Sequence, residues 1–149
     1  MKILFIPSYY PSKSNTVSGI FIKELAKSVS LYDDVVVLHV LNDRVNGFHT
    51  SDEIEDGVRV VRATYKDFKV PFVPHAFYFI SLFYAFVRLK KNYPPDLINA
   101  HVYYPAGVVT VIIGKIFKIP TVITEHAEIL DRYKKQNRVK KIKDFLGLN

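Results

Sequence analysis

The sequence predicts an α/β protein built on a Rossmann-like, doubly wound parallel sheet. Residues 3–6 and 35–41 form short apolar runs, and only the second contains a polar residue, His39. Runs of this length and composition are typical of strands that are buried on both faces of a sheet. Helix-length segments with apolar residues at helical spacing separate such runs. This alternation favours right-handed βαβ units with helices on both faces of the sheet.

Five strands and three helices are predicted in order along the chain. The strands are expected at residues 3–6, 35–41, 58–63, 96–101 and 120–124, and the helices at residues 19–30, 76–91 and 105–117. The link over residues 42–57 is polar, and we expect it to be irregular. With the doubly wound order 3-2-1-4-5, the first and fourth strands lie side by side. A ligand crevice then opens beyond their carboxyl ends.

Length and composition predict a single domain over residues 1–149. Of the 149 residues, 49% are hydrophobic, which is enough for one ordinary core but not for two full domains. Cysteine is absent, which excludes disulfides, thiolate zinc sites and a cysteine nucleophile. This absence suits a reducing compartment, so we expect a cytoplasmic protein. The net charge of +7 favours an anionic partner.

The segment over residues 70–89 is rich in phenylalanine and tyrosine. Its densest part, residues 76–87, has Ser81 and tyrosine hydroxyls as its only polar groups. This part is shorter than the roughly 20 residues that a bilayer core requires, so we do not expect it to span a membrane. Two interpretations remain open. The segment is either a crossover helix buried in the core or a helix whose outer face enters a membrane interface.

The last segment, residues 131–149, is strongly basic. It is either a solvated helix face or a surface attracted to anionic lipid. The aromatic residues cluster in the oily segment and do not alternate with these cations. Because a stacking platform for bases needs that alternation, we expect no nucleic-acid partner.

Three segments are expected to converge on the crevice, because each follows the carboxyl end of a strand. They are residues 8–19, 101–107 and 125–126. Gly19 opens the first helix, where free N–H groups and the helix dipole make a seat for phosphate, or it merely ends a loop. His101 ends the fourth strand. Its imidazole either hydrogen-bonds a sugar hydroxyl, shares a proton, or has a structural role.

The sequence supports few functional predictions for the other histidines and for glycine-rich motifs. His126, beside Glu125, is a second candidate at the same edge, whereas His39, His49 and His75 are assigned no role. The histidines lack metal-site spacing, and no cysteine supports them, so we expect no metal. Neither G-x-G-x-x-G nor G-x-x-x-x-G-K-[ST] occurs, which argues against dinucleotide binding and P-loop hydrolysis.

Four stretches together resemble, in order and spacing, the acceptor domain of family 4 glycosyltransferases of the GT-B type. They are Lys2–Pro7, Gly19–Ala26, Pro95–His101 and Pro120–His126, so the similarity covers nearly the whole chain. The resemblance implies the amino-terminal half of a GT-B fold, in which two Rossmann-like domains form a cleft. It also implies retaining transfer from a nucleotide-activated sugar, without a metal or other cofactor.

The resemblance further assigns residues to this cleft. It implies that Gly19, with Ser18 before it, approaches the donor diphosphate. It implies that His101 is the catalytic residue, in contact with the transferred sugar. Many members of the family have two adjacent glycines where this chain has Ser18 and Gly19. The other predicted substrate-binding residues are Tyr103, Thr124, Glu125 and His126.

Two hypotheses follow. In the first, the chain is the acceptor half of a transferase for cell-surface polysaccharide. Its partners are a nucleotide-sugar donor, held mainly by a second domain, and a glycan or lipid-linked acceptor, with peripheral contact to an anionic membrane. The family's carboxyl-terminal domain, with its E-x7-E glutamates, is absent from the sequence, so we expect no transfer by these residues alone. In the second, the chain is a non-catalytic α/β module that docks on a membrane or partner.

Overall fold

The computed structural model describes residues 1–43, 47–66 and 73–126. The basic segment predicted at residues 131–149 and the start of the oily segment, residues 70–72, lie outside the described residues. The described elements, in chain order, are β1 (Lys2–Pro7), α1 (Ile20–Val29), β2 (Asp34–Asp43), β3 (His49–Glu55), β4 (Val58–Lys66), α2 (Val73–Asn92), β5 (Leu97–His101), a π turn (Tyr103–Gly107), α3 (Val108–Phe117) and β6 (Thr121–Thr124).

The strands form one sheet in the order β3-β4-β2-β1-β5-β6. All neighbouring strands are parallel except β3 and β4, which are antiparallel. Without β3, this is the predicted order 3-2-1-4-5, so the Rossmann-like, doubly wound fold class is confirmed. The first strand of the chain, β1, lies beside β5, and the strand order reverses between them. A crevice is therefore expected at their carboxyl ends.

Each face of the sheet has its own apolar core, because successive residues of a strand point to opposite faces. On one face, Ile3 and Phe5 of β1 pack with Ile22 of α1. On the other face, Leu4 of β1 belongs to a larger cluster that includes the fully buried Phe86 of α2. Burial of β1 on both faces explains its uninterrupted apolar sequence.

The polar link between β2 and β4, which we expect from the sequence to be irregular, contains β3. That prediction is wrong. β3 is an edge strand of mostly exposed residues, so it lacks the apolar run by which a buried strand is recognised in a sequence. β3 joins β4 through a two-residue turn, Asp56 and Gly57, whose φ angles are 48° and 85°. An Asp-Gly pair with positive φ at both positions is a strong hairpin signal. It is the sequence feature that identifies this hairpin.

Two ion pairs hold β3 to β4. Arg59 donates two hydrogen bonds to the Asp52 carboxylate, at 2.9 and 2.7 Å. Arg62 donates to both oxygens of the Glu55 carboxylate and, at 3.0 Å, to the carbonyl oxygen of Pro11. Arg62 therefore ties the hairpin to the loop that follows β1.

The buried crossover helix that the first interpretation of the oily segment predicts describes one side of α2, whereas entry of the outer face into a membrane interface stays a prediction. Its inner side is buried in the core and consists of Tyr78, Ser81, Leu82, Ala85, Phe86 and Leu89. Its outer side carries four exposed large apolar residues, which we call the aromatic face: Phe77, Ile80, Phe83 and Tyr84. α2 is therefore a buried crossover helix that also presents an apolar surface to solvent. Within the described residues, no helix is long and apolar enough to cross a membrane.

Candidate functional site

The three predicted segments meet at one edge of the sheet. In the register of the strands, His101 of β5 lies between Pro7 of β1 and Thr124 of β6. Backbone hydrogen bonds continue beyond the strands. The Ser8 amide donates to the His101 carbonyl oxygen at 3.0 Å, and the Val102 amide donates to the Thr124 carbonyl oxygen at 2.9 Å. The loops after β1, β5 and β6 therefore begin side by side, as predicted.

His101 is fully buried at this edge. The centroid of its ring lies 4.7 Å from that of Phe5 and 5.7 Å from that of His126, and the two imidazole planes are nearly parallel. Neither ring nitrogen has a hydrogen-bond partner within the described residues. Burial, and to a smaller extent the neighbouring His126, lower the pKa of His101 to about 4. At neutral pH it is therefore an uncharged imidazole with one donor and one acceptor.

Four aromatic rings form a row across the same edge. The row runs from Phe5 through His101 and His126 to Phe21 of α1. The ring centroid of Phe21 lies 4.4 Å from that of His126, in an edge-on contact. The row joins β1, β5, the residues after β6, and α1, so packing fixes both imidazoles. His126 Nε2 is also buried without a partner in the part of the chain that the structure describes. Within the same part, no group of three or more histidine or acidic residues is placed to hold a metal ion.

Thr124 and Glu125 brace the chain around His101. The Thr124 hydroxyl donates to Asn99 Oδ1 at 2.9 Å. One carboxylate oxygen of Glu125 accepts a hydrogen bond from the Tyr103 amide, and the other oxygen is buried with no partner among the described residues. The Tyr103 side chain is exposed. Of these predicted substrate-binding residues, Tyr103 thus presents its side chain to solvent, whereas Thr124 and Glu125 already hold neighbouring groups.

Gly19 is required by the packing of the chain itself. It precedes α1 with a φ of 69°, a left-handed conformation that glycine adopts most easily. A Cβ atom here would lie 2.3 Å from the Tyr9 carbonyl oxygen. Asn15 shapes the same loop, since its Oδ1 accepts a hydrogen bond from the Ser18 amide at 3.0 Å. The backbone conformation and the close packing against Tyr9 therefore explain why a glycine ends this loop. Binding of a phosphate by Gly19 stays a prediction.

The third helix begins at Val108 rather than at Pro105, so the predicted start is wrong. The reason is that the chain first makes the π turn Tyr103–Gly107, which a hydrogen bond from the last amide of the turn to the Val102 carbonyl oxygen closes at 3.2 Å. Val102 itself has a φ of 76°, which is strained for a β-branched residue. Such strain tends to cluster at functional sites, and here it directly follows His101.

His39, to which the sequence analysis assigns no role, is buried in β2 near the carboxyl edge. It lines a cavity of about 350 Å³ that Ser18 also lines. Burial, and secondarily the nearby Arg62 charge, lower the pKa of His39 to about 3. The signal in the sequence is one imidazole in an otherwise apolar strand. That signal fits a packing residue equally well, so it does not identify a site.

Comparisons with known proteins identify no family. No family model matches the chain, and no curated protein matches it. Among solved structures, the C-terminal domain of a hydrogenase from Pyrococcus furiosus is similar, with 17% sequence identity, coverage of 82% of this chain and 89% of that chain, and a TM-score of 0.49. At this TM-score the likeness carries no argument about activity.

Proposed function

We propose that the chain is the acceptor-side, amino-terminal half of a retaining GT-B glycosyltransferase that acts in cell-surface polysaccharide assembly. The observation that supports this most directly is the state of His101. It is a buried, neutral imidazole whose two nitrogens have no partner within the described residues. It also lies where the loops after β1, β5 and β6 meet, and these three strands belong to the stretches that resemble family 4 glycosyltransferases.

His101 suits a sugar hydroxyl better than a charged group. A neutral imidazole donates one hydrogen bond and accepts another, and a hydroxyl group complements either. With a pKa of about 4, His101 is a weak base at neutral pH. We therefore assign it hydrogen bonding to the transferred sugar rather than proton transfer. In this proposal the donor diphosphate lies near Gly19 at the start of α1, where the helix dipole favours an anion.

The transfer exchanges one bond for another at the anomeric carbon of the sugar. The bond to the diphosphate oxygen breaks, and a bond to an acceptor hydroxyl oxygen forms. The proton of that hydroxyl passes to an oxygen of the released nucleoside diphosphate. A second domain would hold the nucleotide, so residues 1–149 alone are not expected to transfer sugar.

The test is sugar transfer by the full-length product of the gene, with His101→Ala as the variant. We expect this change to lower turnover by about ten- to thousandfold, because it removes a contact that strengthens in the transition state. The matched control is His49→Ala on β3, at the far edge of the sheet. We expect this control to transfer sugar at the normal rate.

Two outcomes would contradict the proposal. One is that the full-length protein turns over no nucleotide sugar of any kind. The other is that His101→Ala, shown to be folded by its thermal midpoint, transfers sugar as fast as the unchanged protein. The second outcome would return His101 to a purely structural role.

A second candidate function rests on a different observation, the aromatic face of α2. Its four residues are all more than a third exposed, and Phe48 extends the surface, its ring meeting that of Tyr84 edge-on at 5.2 Å. Beside them lies an apolar cavity of about 380 Å³, which Phe77 and Ile80 also line. The exposed Arg88 and Lys91 follow on the same helix. We therefore propose docking on a bilayer that contains anionic lipid, and sedimentation with vesicles tests it.

A further inference from the structure

The cavity of about 350 Å³ beside the candidate site has no assigned role. It lies at the carboxyl ends of β1, β2 and β4, whereas His101 lies between β1 and β6. It therefore lies beside His101 on the same carboxyl edge of the sheet. Ser18 and Pro105 belong to its lining, but His101 does not. The lining residues that matter for its chemistry are Ser8, Tyr10, His39, Asn42 and Tyr78.

Three polar atoms in the residues of this cavity wall are buried and have no hydrogen-bond partner in the described part of the chain. They are the Tyr10 hydroxyl, the Tyr78 hydroxyl and His39 Nδ1. The three residues, Tyr10, Tyr78 and His39, are 2%, 6% and 4% exposed, respectively. A buried polar group without a partner is costly and uncommon in native proteins. All three belong to residues that line one cavity, so a hydrogen-bonding molecule that reached them there would remove this cost.

The groups around the cavity are uncharged at neutral pH. Burial keeps His39 neutral, and burial raises the pKa of the Tyr10 hydroxyl to about 12. The guanidinium carbon of Arg62 lies 5.8 Å from the centre of the Tyr10 ring. That guanidinium already donates hydrogen bonds to Glu55 and to the Pro11 carbonyl oxygen. Its Nε has no partner among the described residues, but Arg62 does not line this cavity. No lysine or arginine of the described part of the chain belongs to the lining, so an anionic ligand would meet no cation of the wall.

We infer that this cavity binds an uncharged, hydroxylated ring, such as a monosaccharide or a cyclic polyol, through His39, Tyr10 and Tyr78. The tyrosine rings offer apolar surface to the C–H groups of such a ring, and the orphaned polar atoms offer partners to its hydroxyls. The volume is within the range of pockets that hold small molecules. Identification of the ring as part of the sugar acceptor rests on the proposed function, whereas binding itself does not.

Binding is measured by calorimetry on the full-length protein without any nucleotide sugar. The probes are D-glucose, D-galactose, D-mannose and myo-inositol, with cyclohexanol and inorganic phosphate as comparison molecules. We expect at least one of the four polyhydroxylated probes to bind and the two comparison molecules to bind far more weakly. Cyclohexanol has a ring of similar size but a single hydroxyl, and phosphate is an anion.

Removal of single hydroxyl groups makes the test specific to the cavity. Tyr10→Phe and Tyr78→Phe should each weaken binding by about three- to tenfold, the effect of one lost hydrogen bond. Their thermal midpoints should stay unchanged or rise, because the deleted hydroxyl has no partner in the folded chain. The matched control is Tyr93→Phe. The Tyr93 hydroxyl donates to the Asp34 carbonyl oxygen at 2.6 Å, so this change should lower the midpoint and leave binding unchanged.

Three results would overturn the inference. They are absence of binding by all four probes, unchanged binding in both Tyr10→Phe and Tyr78→Phe, and tighter binding of phosphate than of every polyhydroxylated probe. Failure here is distinguishable from failure of the proposed function. Binding without sugar transfer would keep the cavity and remove the transferase proposal. Transfer without binding in this cavity would do the reverse.

Discussion

At the scale of single residues, the chemistry of the carboxyl edge depends on two buried imidazoles, His39 and His101. Burial holds the pKa of the first at about 3 and that of the second at about 4. Each therefore acts at neutral pH as a hydrogen-bonding group without charge. A neutral imidazole does not attract an anion such as a diphosphate. It is suited to the hydroxyl groups of a sugar, which both donate and accept hydrogen bonds.

The two histidines are expected to make stability depend on pH between about 4 and 6.5. In the unfolded chain they titrate near the ordinary value of 6.5, but in the folded chain they stay neutral to about pH 3 for His39 and about pH 4 for His101. In this window the unfolded state binds more protons. The free energy of unfolding therefore falls as the pH falls, in total by on the order of several kcal/mol at pH 4.

Urea unfolding at a series of pH values measures this dependence. His39→Gln and His101→Gln should each remove part of the slope, because glutamine does not titrate. Arginine partners lower the pKa values of Asp52 and Glu55, so those carboxylates lose their contribution only at the acidic end. A stability that is constant from pH 6.5 to pH 4.5 would contradict the neutral state of both histidines.

Gly19 provides a second prediction for a single residue. Gly19→Ala is expected to lower the free energy of unfolding by about 2–4 kcal/mol, since it adds a left-handed alanine and a contact with the Tyr9 backbone. The matched control is Gly57→Ala. Gly57 also has positive φ, 85°, but nothing lies within 4 Å of its missing Cβ, so about 1 kcal/mol is expected. Equal losses in chemical denaturation would show that the approach of Tyr9 is unimportant.

At the scale of elements, the apolar strands are the part of the fold that the sequence predicts best. β1 and β2 are apolar because both of their faces are buried, and this composition identifies them directly. β3 is missed because an exposed edge strand needs no apolar run. The two sides of α2 are also hard to separate from sequence, since phenylalanine and tyrosine occur on its buried side and on its exposed side alike.

The β3–β4 hairpin has a structural role beyond the edge of the sheet, because Arg62 connects it to the loop after β1, which forms one wall of the cavity beside His39. Arg62→Met should lower the free energy of unfolding by about 1–3 kcal/mol, since it leaves the partly buried Glu55 carboxylate unpaired. Arg59→Met removes the more exposed pair with Asp52 and should cost less than about 1 kcal/mol.

Chemical denaturation of the two variants measures this difference. Addition of Glu55→Gln to Arg62→Met should recover part of the loss, because the unpaired charge is then removed. Hydrogen exchange should also become faster at the Asn15 amide, since the loop that contains it loses its tie to β4 at Pro11. Equal effects of Arg62→Met and Arg59→Met would contradict this role.

At the scale of the whole molecule, the meeting of the three loops follows from topology. Parallel strands that lie side by side end at the same edge, so the strand order predicted from the sequence brings the chain after Pro7, His101 and Thr124 together. The sequence does not predict the row of rings that includes Phe21 and His126. Nor does it predict the cavity around His39. Both depend on the direction of side chains from elements that are distant in the chain.

The aromatic face of α2 gives the last prediction, which concerns the surface of the whole molecule. The full-length protein should sediment with vesicles that contain phosphatidylglycerol and much less with pure phosphatidylcholine, because apolar insertion and attraction of Arg88 and Lys91 act together. Added salt should weaken this binding, since the Debye length falls from about 8 Å at physiological ionic strength to about 3 Å at 1 M.

Ile80→Ser combined with Phe83→Ser should reduce sedimentation severalfold. The matched control changes Ile112 and Ile116 to serine, since both are exposed on α3, and should sediment normally. Negligible sedimentation with both lipids, or equal loss in the two double variants, would exclude this face as a membrane surface.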